Sequence, residues 1–316
     1  MRFNAGMTRP HTPSVLISEV GPRDGLQSVK ATMATADKLR WIDALAAAGL
    51  REIEVASFVP AHVLPQMADA AQVVQHARQH TGVRVMALVP NLRGAQAALQ
   101  AGAQKLTLPV SASPAHSLAN VRKTPEAMLD EVRAVLHLRD EIAPGVPVEV
   151  GMSTAFGCTL QGLVPQDEVL RLAVLLAQTG VNEIGLSDTT GMANPAQVGR
   201  LFKALFHEIG DLTGAAHMHN TRGLGLANCL AAYEAGVRTF DSSLAGLGGC
   251  PYAPGASGNV VTEDLVFMFE AMGVNTGIDL VKLMAAREPL KAGLPGEPVY
   301  GMTPEAGLPK GWPTVL

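Results

Sequence analysis

The sequence predicts an α/β protein whose eight parallel strands close into a TIM (β/α)8 barrel, and three observations support this. A glycine followed by a short alternating or apolar run recurs along the chain. An amphipathic stretch precedes each of these glycines. Five such units, with three further candidate strands in "SVLISEV" (14–20), "VPVEVGMS" (146–153) and "GAAHMHN" (214–220), give eight strands at a mean spacing of about 32 residues, which is the size of a β/α unit.

The recurring glycines mark where helices are expected to end. Segments such as "AAGLREIEVAS" and "QTGVNEIGLSD" place a glycine about three residues before an apolar run. Only glycine enters the left-handed backbone region at the end of a helix without a steric penalty from Cβ. The run that follows fits a buried strand of about five residues. The glycines in this position are Gly49, Gly82, Gly102, Gly180 and Gly236.

The stretches before the glycines have the apolar spacing of amphipathic helices. "TADKLRWIDALAAAG" places Leu39, Ile42 and Leu45 on one face. "PQDEVLRLAVLLAQTG" begins with proline and acidic residues, as helix N-termini prefer. Strict alternation of strands and helices with right-handed crossovers favours the barrel over its alternative, a doubly wound open sheet. The strands are expected near residues 16, 52, 84, 105, 147, 183, 215 and 238.

Further elements follow the eighth strand. "TEDLVFMFEAMG" and "IDLVKLMAARE" predict two additional helices. We expect residues 1–290 to form a catalytic barrel with a lid loop at 246–259. Residues 291–316 are rich in proline and glycine and are expected to form an irregular C-terminal extension.

The composition limits the partners and the compartment. The 316 residues carry a net charge of −4, which argues against nucleic acid or an anionic membrane as the main partner. No apolar run approaches the roughly 18–20 residues that span a bilayer. The chain has 3 cysteines and begins without the apolar segment of a secretory signal. A reducing, cytoplasmic location is therefore expected.

Polar residues concentrate at the predicted carboxyl ends of the strands, where such barrels carry their chemistry. Strand one ends in "EVGPRDGLQ", which is either a plain turn with a solvated Arg23–Asp24 pair or part of a site. Gln27 lies in the same stretch. Glu54 interrupts an apolar strand, and a buried carboxylate requires a partner such as Arg23 or a functional role. Asp188 is expected either to cap the next helix or to act in catalysis.

Two histidines lie one residue apart in "GAAHMHNTRG", at 214–223. The pair is either a coincidence, with one ring in the core and one in solvent, or a pair of metal ligands. On a strand, residues i and i+2 face the same way, so His217 and His219 would both face the barrel mouth. With the carboxylate of Asp24 they would suit Mg²⁺ or Mn²⁺, and Zn²⁺ less well.

The glycine-rich segment "GLGGCPYAPGASGN", at 246–259, is either a disordered connector or a mobile lid. Cys250 within it is either a bystander or a thiol of low pKa that transfers protons. Cys158 and Cys229 are expected to be structural.

Taken together, these motifs resemble the 3-hydroxy-3-methylglutaryl-CoA lyase family. The resemblance rests on "EVGPRDGLQ", "ASFVP" with "PQMAD", "SDTTG", "HMHNTRG" and "AGLGGCPYAPGASGNVVTEDLV". It runs in order from about residue 14 to residue 287, and the cysteine-containing glycine loop is its most specific motif. Pro114, where the family often has an acidic residue, and the Pro/Gly tail depart from the pattern.

The resemblance implies a Mg²⁺ or Mn²⁺ site with catalytic groups around it. Its metal ligands would be Asp24, His217, His219 and Asn259. Its catalytic groups would be Arg23, Glu54, Asp188 and Cys250, supported by Gln27 and Glu263. Arg23 would steady the thioester oxygen, Asp188 or Glu54 would take the hydroxyl proton, and Cys250 would protonate the enolate.

The implied reaction is cleavage of 3-hydroxy-3-methylglutaryl-CoA to acetyl-CoA and acetoacetate by a homodimer. A related branched 3-hydroxyacyl-CoA is an alternative substrate. The motifs also leave open a condensing synthase of the same superfamily and a barrel that only binds acyl-CoA. Lys30, Arg122 and Lys123 lie near predicted strand-end loops, where they either meet the phosphates of CoA or are ordinary surface charges.

Overall fold

The computed structural model describes residues 14–248 and 258–312. Its eight strands are all parallel and form a closed barrel in sequence order, with β8 pairing back onto β1. The predicted TIM barrel is therefore confirmed. The strands are β1 Leu16–Glu19, β2 Glu52–Ser57, β3 Arg84–Leu88, β4 Lys105–Ser111, β5 Val148–Ser153, β6 Glu183–Ser187, β7 Thr213–His217 and β8 Thr239–Ser242.

Helices connect the strands and surround the barrel. The five glycines expected at helix ends all have left-handed φ angles, from 87° to 116°. The helices are α1 Thr35–Ala47, α2 Ala70–Ala77, α3 Leu92–Ala101, α4 Pro114–Val121, α5 Pro125–Ile142, α6 Gln166–Ala177, α7 Pro195–Ile209, α8 Gly225–Glu234, α9 Thr262–Ala271, α10 Leu280–Ala285, α11 Arg287–Gly293 and α12 Met302–Ala306. None of the described helices has the length and apolarity needed to cross a bilayer.

The C-terminal extension begins with the last three residues of α11, 291–293, and the rest of its described part is irregular apart from α12. The carboxylate of Asp264 on α9 accepts hydrogen bonds from the backbone N–H groups of Met302, at 2.9 Å, and Thr303, at 2.6 Å. These N–H groups begin α12 and would otherwise lack a partner in the helix. Hydrogen bonds to a residue 38 positions earlier in the chain therefore hold this short helix on the barrel.

Two stretches differ in detail from the sequence-based expectation. β7 ends at His217, so His219 lies just beyond the strand and forms an isolated antiparallel bridge with Asn259. The stretch "GPRDG" forms one π-helical turn, Gly21–Gly25, that is buried throughout. The alternative of a solvated Arg23–Asp24 pair is therefore wrong, because both side chains are enclosed by the barrel rim.

The interior at the amino ends of the strands contains a buried charge cluster. The Nζ atom of Lys105 on β4 lies 2.7 Å from Glu149, 2.8 Å from Glu183 and 3.4 Å from Glu52. Burial alone would lower the pKa of Lys105, but these carboxylates raise it well above its ordinary value. The ammonium therefore stays charged inside the barrel.

Candidate active site

Three predicted metal ligands meet at the carboxyl rim of the barrel. One ligand atom from each of Asp24, His217 and His219 lies within 4.8 Å of the others. The Nε2 atoms of the two histidines are 3.2 Å apart, and His217 Nε2 is 3.9 Å from Asp24 Oδ2. Asp24 belongs to the turn after β1, which neighbours β8, which neighbours β7. Ring closure therefore brings the two ends of the chain to one site.

The orientation of His217 is fixed by Asp241 on β8. The two residues are register partners across the β7–β8 pair, and His217 Nδ1 is 3.0 Å from Asp241 Oδ2. A proton on Nδ1 donated to this carboxylate leaves the Nε2 lone pair facing the site, as in carboxylate–histidine–metal arrangements. Asp241 was not singled out from the sequence. Its signal is a carboxylate inside an apolar strand, but the cross-strand register that gives it meaning is not visible in one sequence.

The surroundings shift the pKa values of the two imidazoles in opposite directions. Burial and the neighbouring His217 lower the pKa of His219 to about 4, so this ring is neutral at physiological pH. Burial alone would lower the pKa of His217, but the hydrogen bond and charge of Asp241 raise it. Two nitrogens 3.2 Å apart cannot both present lone pairs without a proton or a cation between them.

Asn259 joins the group from the far end of the glycine-rich loop. Its Nδ2 donates to Asp24 Oδ2 at 2.6 Å and to the backbone oxygen of Leu247 at 3.2 Å. Its Oδ1 is buried and finds no hydrogen-bond partner within residues 14–248 and 258–312. The segment is anchored by hydrogen bonds from Asn220 N to Gly258 O and from Val260 N to Met218 O.

These donors suit a hard or borderline divalent cation. They comprise one carboxylate, two imidazoles and an amide oxygen that has no other partner in the described structure. Although burial alone would raise the pKa of Asp24, the charges of Arg23 and the histidines lower it to about 2. The carboxylate is therefore ionised over the whole working range of pH. This ligand set fits Mg²⁺ or Mn²⁺.

Arg23 links the cation site to Glu54. Its NH1 donates to Asp24 Oδ1 at 2.5 Å, and its Nε and NH2 both lie 2.5 Å from Glu54 Oε2. Burial raises the pKa of Glu54 to about 7 despite the guanidinium beside it. The expected pairing of Glu54 with Arg23 is therefore present, and the guanidinium is held rigidly at the rim.

Asp188 is not the cap of the following helix. Asn194 caps α7, where its side chain accepts a hydrogen bond from Gln197 N. Asp188 Oδ1 accepts hydrogen bonds from the backbone N–H groups of Met192, at 2.8 Å, and Ala193, at 3.1 Å. Its Oδ2 is buried and finds no hydrogen-bond partner in the described part of the chain, and burial raises its pKa to about 6. One oxygen thus fixes the carboxylate and the other is left to accept a proton.

The remaining predicted residues lie farther from the three ligands or outside the described structure. Gln27 is half-buried just past the β1 turn. Glu263 is fully buried on α9, where it pairs with Arg287 at 2.5 Å and accepts hydrogen bonds from Ala245 N. Glu263 therefore supports the turn after β8. Cys250 falls in residues 249–257, outside the described residues. Of the expected structural cysteines, both Cys158 and Cys229 are buried free thiols.

The three basic residues expected near CoA differ in their surroundings. Lys30 and Arg122 are both exposed, and Arg122 directly follows α4 with a left-handed φ of 57°. The ammonium of Lys123 forms an ion pair with Glu131 on α5. Lys123 must therefore leave this carboxylate before it can meet a phosphate, whereas Lys30 and Arg122 are accessible.

Sequence reasoning did not assign a role to Glu19, at the end of β1. Its carboxyl oxygens accept hydrogen bonds from Gly21 N and Leu244 N, each at 2.9 Å, and from the Thr262 hydroxyl at 2.6 Å. Burial raises its pKa to about 8. Glu19 therefore ties the β1 turn, the turn after β8 and the start of α9 together beneath the site. A carboxylate just before "GPRDG" was the available signal.

Comparison with known proteins places this geometry in a family. A family profile described as HMGL-like matches residues 14–289. A hydroxymethylglutaryl-CoA lyase of Bacillus subtilis is 42% identical over 277 residues, covering 88% of this chain and 92% of the relative. An (R)-citramalyl-CoA lyase of Chloroflexus aurantiacus is 40% identical over 305 residues, covering 93% of this chain and 95% of the relative.

The solved structures agree. An HMG-CoA lyase from Acinetobacter baumannii, solved with coenzyme A and 3-methylmalate, superposes with a TM-score of 0.88 at 39% identity. The match covers 96% of this chain and 98% of that one. The profile covers most of the chain, and relatives above 30% identity span nearly its full length. The chain therefore belongs to the HMGL-like family of lyases.

Proposed function

We propose that this chain cleaves 3-hydroxy-3-methylglutaryl-CoA to acetyl-CoA and acetoacetate with the help of Mg²⁺ or Mn²⁺. The observation that supports this most directly is the meeting of Asp24, His217 and His219 beside Arg23 at the barrel rim. A cation site and a fixed guanidinium side by side are what a retro-Claisen cleavage needs, because charge passes from a hydroxyl oxygen to a thioester oxygen.

Asp24, His217, His219 and Asn259 are the residues that would hold the cation. When bound, the cation supplies Lewis-acid stabilisation of the negative charge that develops on the substrate hydroxyl oxygen. Arg23 donates to the thioester carbonyl oxygen as the bond between C2 and C3 breaks and an enolate forms. Its salt bridge to Glu54 fixes the direction of this donor before the substrate arrives.

The proton balance assigns one group to each transfer. Asp188 takes the hydroxyl proton, since its Oδ2 has no hydrogen-bond partner among the described residues and its pKa, about 6, lies close to neutral. Glu54 is the second choice: its Oε1 is likewise buried with no partner among the described residues and its pKa is about 7, but Arg23 holds its Oε2. The enolate carbon then receives a proton, for which the thiol of Cys250 is the candidate. The products are acetyl-CoA and acetoacetate, with no further reactant.

Substrate contacts and assembly follow the same proposal. Lys30 and Arg122 are accessible cations that would meet the phosphates of CoA, and Lys123 would join them after leaving Glu131. The expected homodimer and the cytoplasmic location stay predictions from the sequence. Size-exclusion chromatography with light scattering measures the first.

One observation favours a second substrate. The alignment with the (R)-citramalyl-CoA lyase spans 305 residues, more than the 277 matched to the Bacillus subtilis enzyme, and so extends farther along this chain. Citramalyl-CoA is a shorter branched 3-hydroxyacyl-CoA, and the same bond cleavage would give acetyl-CoA and pyruvate. Pro114, where an acidic residue is common in the family, lies at the start of α4 on the same rim.

A paired assay tests the proposal. The purified protein with Mn²⁺ is given 3-hydroxy-3-methylglutaryl-CoA or (R)-citramalyl-CoA, and acetoacetate, pyruvate and acetyl-CoA are measured. We expect acetyl-CoA with acetoacetate from the first substrate, and an Arg23→Lys variant slowed by about 10²–10³-fold in kcat. If pyruvate forms from (R)-citramalyl-CoA and no acetoacetate forms from 3-hydroxy-3-methylglutaryl-CoA, the substrate is (R)-citramalyl-CoA. Failure to cleave either ester with Mn²⁺ or Mg²⁺ contradicts the lyase proposal.

A further inference from the structure

A second cluster of metal-ligating side chains lies on the outside of the barrel. It consists of Asp43 on α1, His76 on α2 and His80 just after α2, and we call it the helix-pair cluster. The Nε2 atoms of His76 and His80 lie 2.6 Å and 2.7 Å from the same oxygen, Asp43 Oδ1. Two rings from one helix end and one carboxylate from the neighbouring helix therefore converge on one point.

We propose that the helix-pair cluster is a binding site for a divalent transition-metal ion of the zinc type. At the rim the amide oxygen of Asn259 adds a second oxygen ligand, whereas the helix-pair cluster offers two imidazoles and one carboxylate. This nitrogen-rich set favours Zn²⁺, Cu²⁺, Ni²⁺ or Co²⁺ over Mg²⁺ and Ca²⁺, which select oxygen ligands. The ion would cross-link α1 to the end of α2. This site is separate from the rim and does not depend on the proposed reaction.

The local geometry requires little rearrangement. His76 lies in the last turn of α2 and His80 in the turn that follows the helix, and both rings reach the same oxygen of Asp43. Around a tetrahedral ion with metal–ligand distances of about 2.1 Å, neighbouring ligand atoms lie about 3.4 Å apart. The nitrogen–oxygen distances would therefore lengthen by less than about 1 Å, which rotation of partly exposed side chains allows.

The surroundings leave the site accessible and charged. The side chains of His76, His80 and Asp43 are 29%, 31% and 45% exposed, so water can complete the coordination. Burial alone would raise the pKa of Asp43, but hydrogen bonds from the two histidines lower it, so the carboxylate is ionised at neutral pH. The negative end of the α2 dipole also favours a cation here.

The helix-pair cluster lies away from the reaction site. α1 and α2 lead into the amino ends of β2 and β3, whereas the rim residues lie at the carboxyl ends. A bound ion would therefore act on the packing of two outer helices. Its expected effect is on stability, with turnover left unchanged.

Counting bound Zn²⁺ tests the proposal. By equilibrium dialysis and elemental analysis we expect two equivalents on the wild-type chain. We expect one equivalent on His76→Asn/His80→Asn, and one on His217→Asn/His219→Asn. The matched control is His137→Asn, which removes a histidine that is 77% exposed on α5 and should retain two equivalents. Asp43→Asn, a milder change, should weaken the second equivalent by about tenfold or more.

Two further readouts separate a site from general loss of structure. Zn²⁺ should raise the melting temperature of wild type and of His137→Asn more than that of His76→Asn/His80→Asn. The latter variant should retain wild-type kcat with Mn²⁺, which shows that it is folded. The proposal is overturned if His76→Asn/His80→Asn binds as much Zn²⁺ as His137→Asn, whatever the total on wild type. A wild type that binds one equivalent, which is lost in His76→Asn/His80→Asn and kept in His217→Asn/His219→Asn, supports it.

Discussion

Asp241 positions the ligand His217 without belonging to the cation site itself. The carboxylate lies on the side of the imidazole that faces away from Asp24 and His219, and it decides which ring nitrogen carries the proton. The direction of the His217 lone pair therefore depends on the register of β7 against β8. Asp241 is therefore a positioning residue, and its loss should lower the affinity for the metal ion more than it lowers kcat at saturating metal.

We expect Asp241→Asn to weaken Mn²⁺ binding by about 10–100-fold, because an amide holds the ring less firmly and with no charge. Saturating Mn²⁺ should restore a large part of kcat. Titration with Mn²⁺ followed by electron paramagnetic resonance measures the affinity. The control is Asp211→Asn, which removes an exposed carboxylate from the turn before β7. Equal affinity in the two variants would contradict the positioning role.

At the scale of single residues, the sequence predicts side chains better than their partners. Asp24, His217, His219 and Asn259 are brought together as expected from the motifs. Asp241 was missed because its importance lies in the strand beside it. Lys123 was given no partner, although Glu131 lies only eight residues on along the chain. Pairwise contacts depend on register and rotamer, which a single sequence does not specify.

At the scale of elements, Glu19 joins three segments that carry or support the site. It accepts hydrogen bonds from the β1 turn, from the turn after β8 and from the first residue of α9. Burial raises its pKa to about 8 from an ordinary 4.5, so it is largely protonated at neutral pH. Its contribution to stability is therefore fully present below pH 4.5 and is lost as the pH rises through about 8.

We expect Glu19→Gln to be nearly neutral below pH 4.5, where the carboxyl group is uncharged in both the folded and the unfolded chain. At pH 7 the variant should be the more stable protein, because wild type must then take up a proton on Glu19 in order to fold. Between pH 5 and 8 the free energy of unfolding of wild type should fall relative to that of Glu19→Gln by about 1 kcal/mol per pH unit. Glu19→Ala should cost at least about 3 kcal/mol, since three buried donors lose their acceptor. Urea unfolding at several pH values measures all three proteins. Parallel pH profiles of wild type and Glu19→Gln would argue against the raised pKa.

The base of the glycine-rich loop is a second element-level constraint. Gly258 has a φ of 85°, and a Cβ there would overlap the backbone oxygens of Gly246 and Gly248. We expect Gly258→Ala to displace Asn259 and to lower kcat by about 10²-fold. Steady-state kinetics at saturating Mn²⁺ measures the effect.

Gly296→Ala is the matched control for this substitution. Gly296 has a φ of 86°, but an added Cβ meets no atom of residues 14–248 and 258–312 within 4 Å. Both variants carry the same backbone strain, of about 1 kcal/mol, and only one has the steric overlap. Similar kcat values for the two variants would contradict the role of the close approach.

Element boundaries were less predictable than element order. The glycine pattern predicts five strands and three further apolar runs complete the set, and all eight strands are present. The sequence predicts β7 to continue to residue 220, three residues past its end at His217. Beyond His217 the backbone pairs only through the isolated bridge between His219 and Asn259. The short helix α12 was not foreseen, since its start depends on Asp264 from a distant helix.

At the scale of the whole molecule, the two ends of the barrel carry different tasks. The carboxyl rim holds the proposed reaction, and the amino end holds Lys105 among three carboxylates. In barrels of this kind the amino end serves stability. Removing the ammonium would leave buried carboxylates without compensation.

We expect Lys105→Met to lower the free energy of unfolding by about 3–5 kcal/mol while kcat changes less than about twofold. Urea unfolding and turnover at 25 °C give the two values. Glu183→Gln serves as a milder companion, because that side chain is 32% exposed and its loss leaves the cluster less negative. A large loss of kcat in a folded Lys105→Met protein would contradict the separation of the two ends.

The hydrogen bond between Asp24 and Asn259 joins residues 235 positions apart. One of these residues follows the first strand and the other follows the last, so they meet only when β8 has docked on β1. Such distant contacts form late in folding, because they carry the largest loss of chain entropy. A cation held by both residues would stabilise only chains that have completed this step. In a refolding experiment, uptake of the ion would therefore report when β8 docks on β1. A nascent chain would bind the ion only after its last strand had been synthesised.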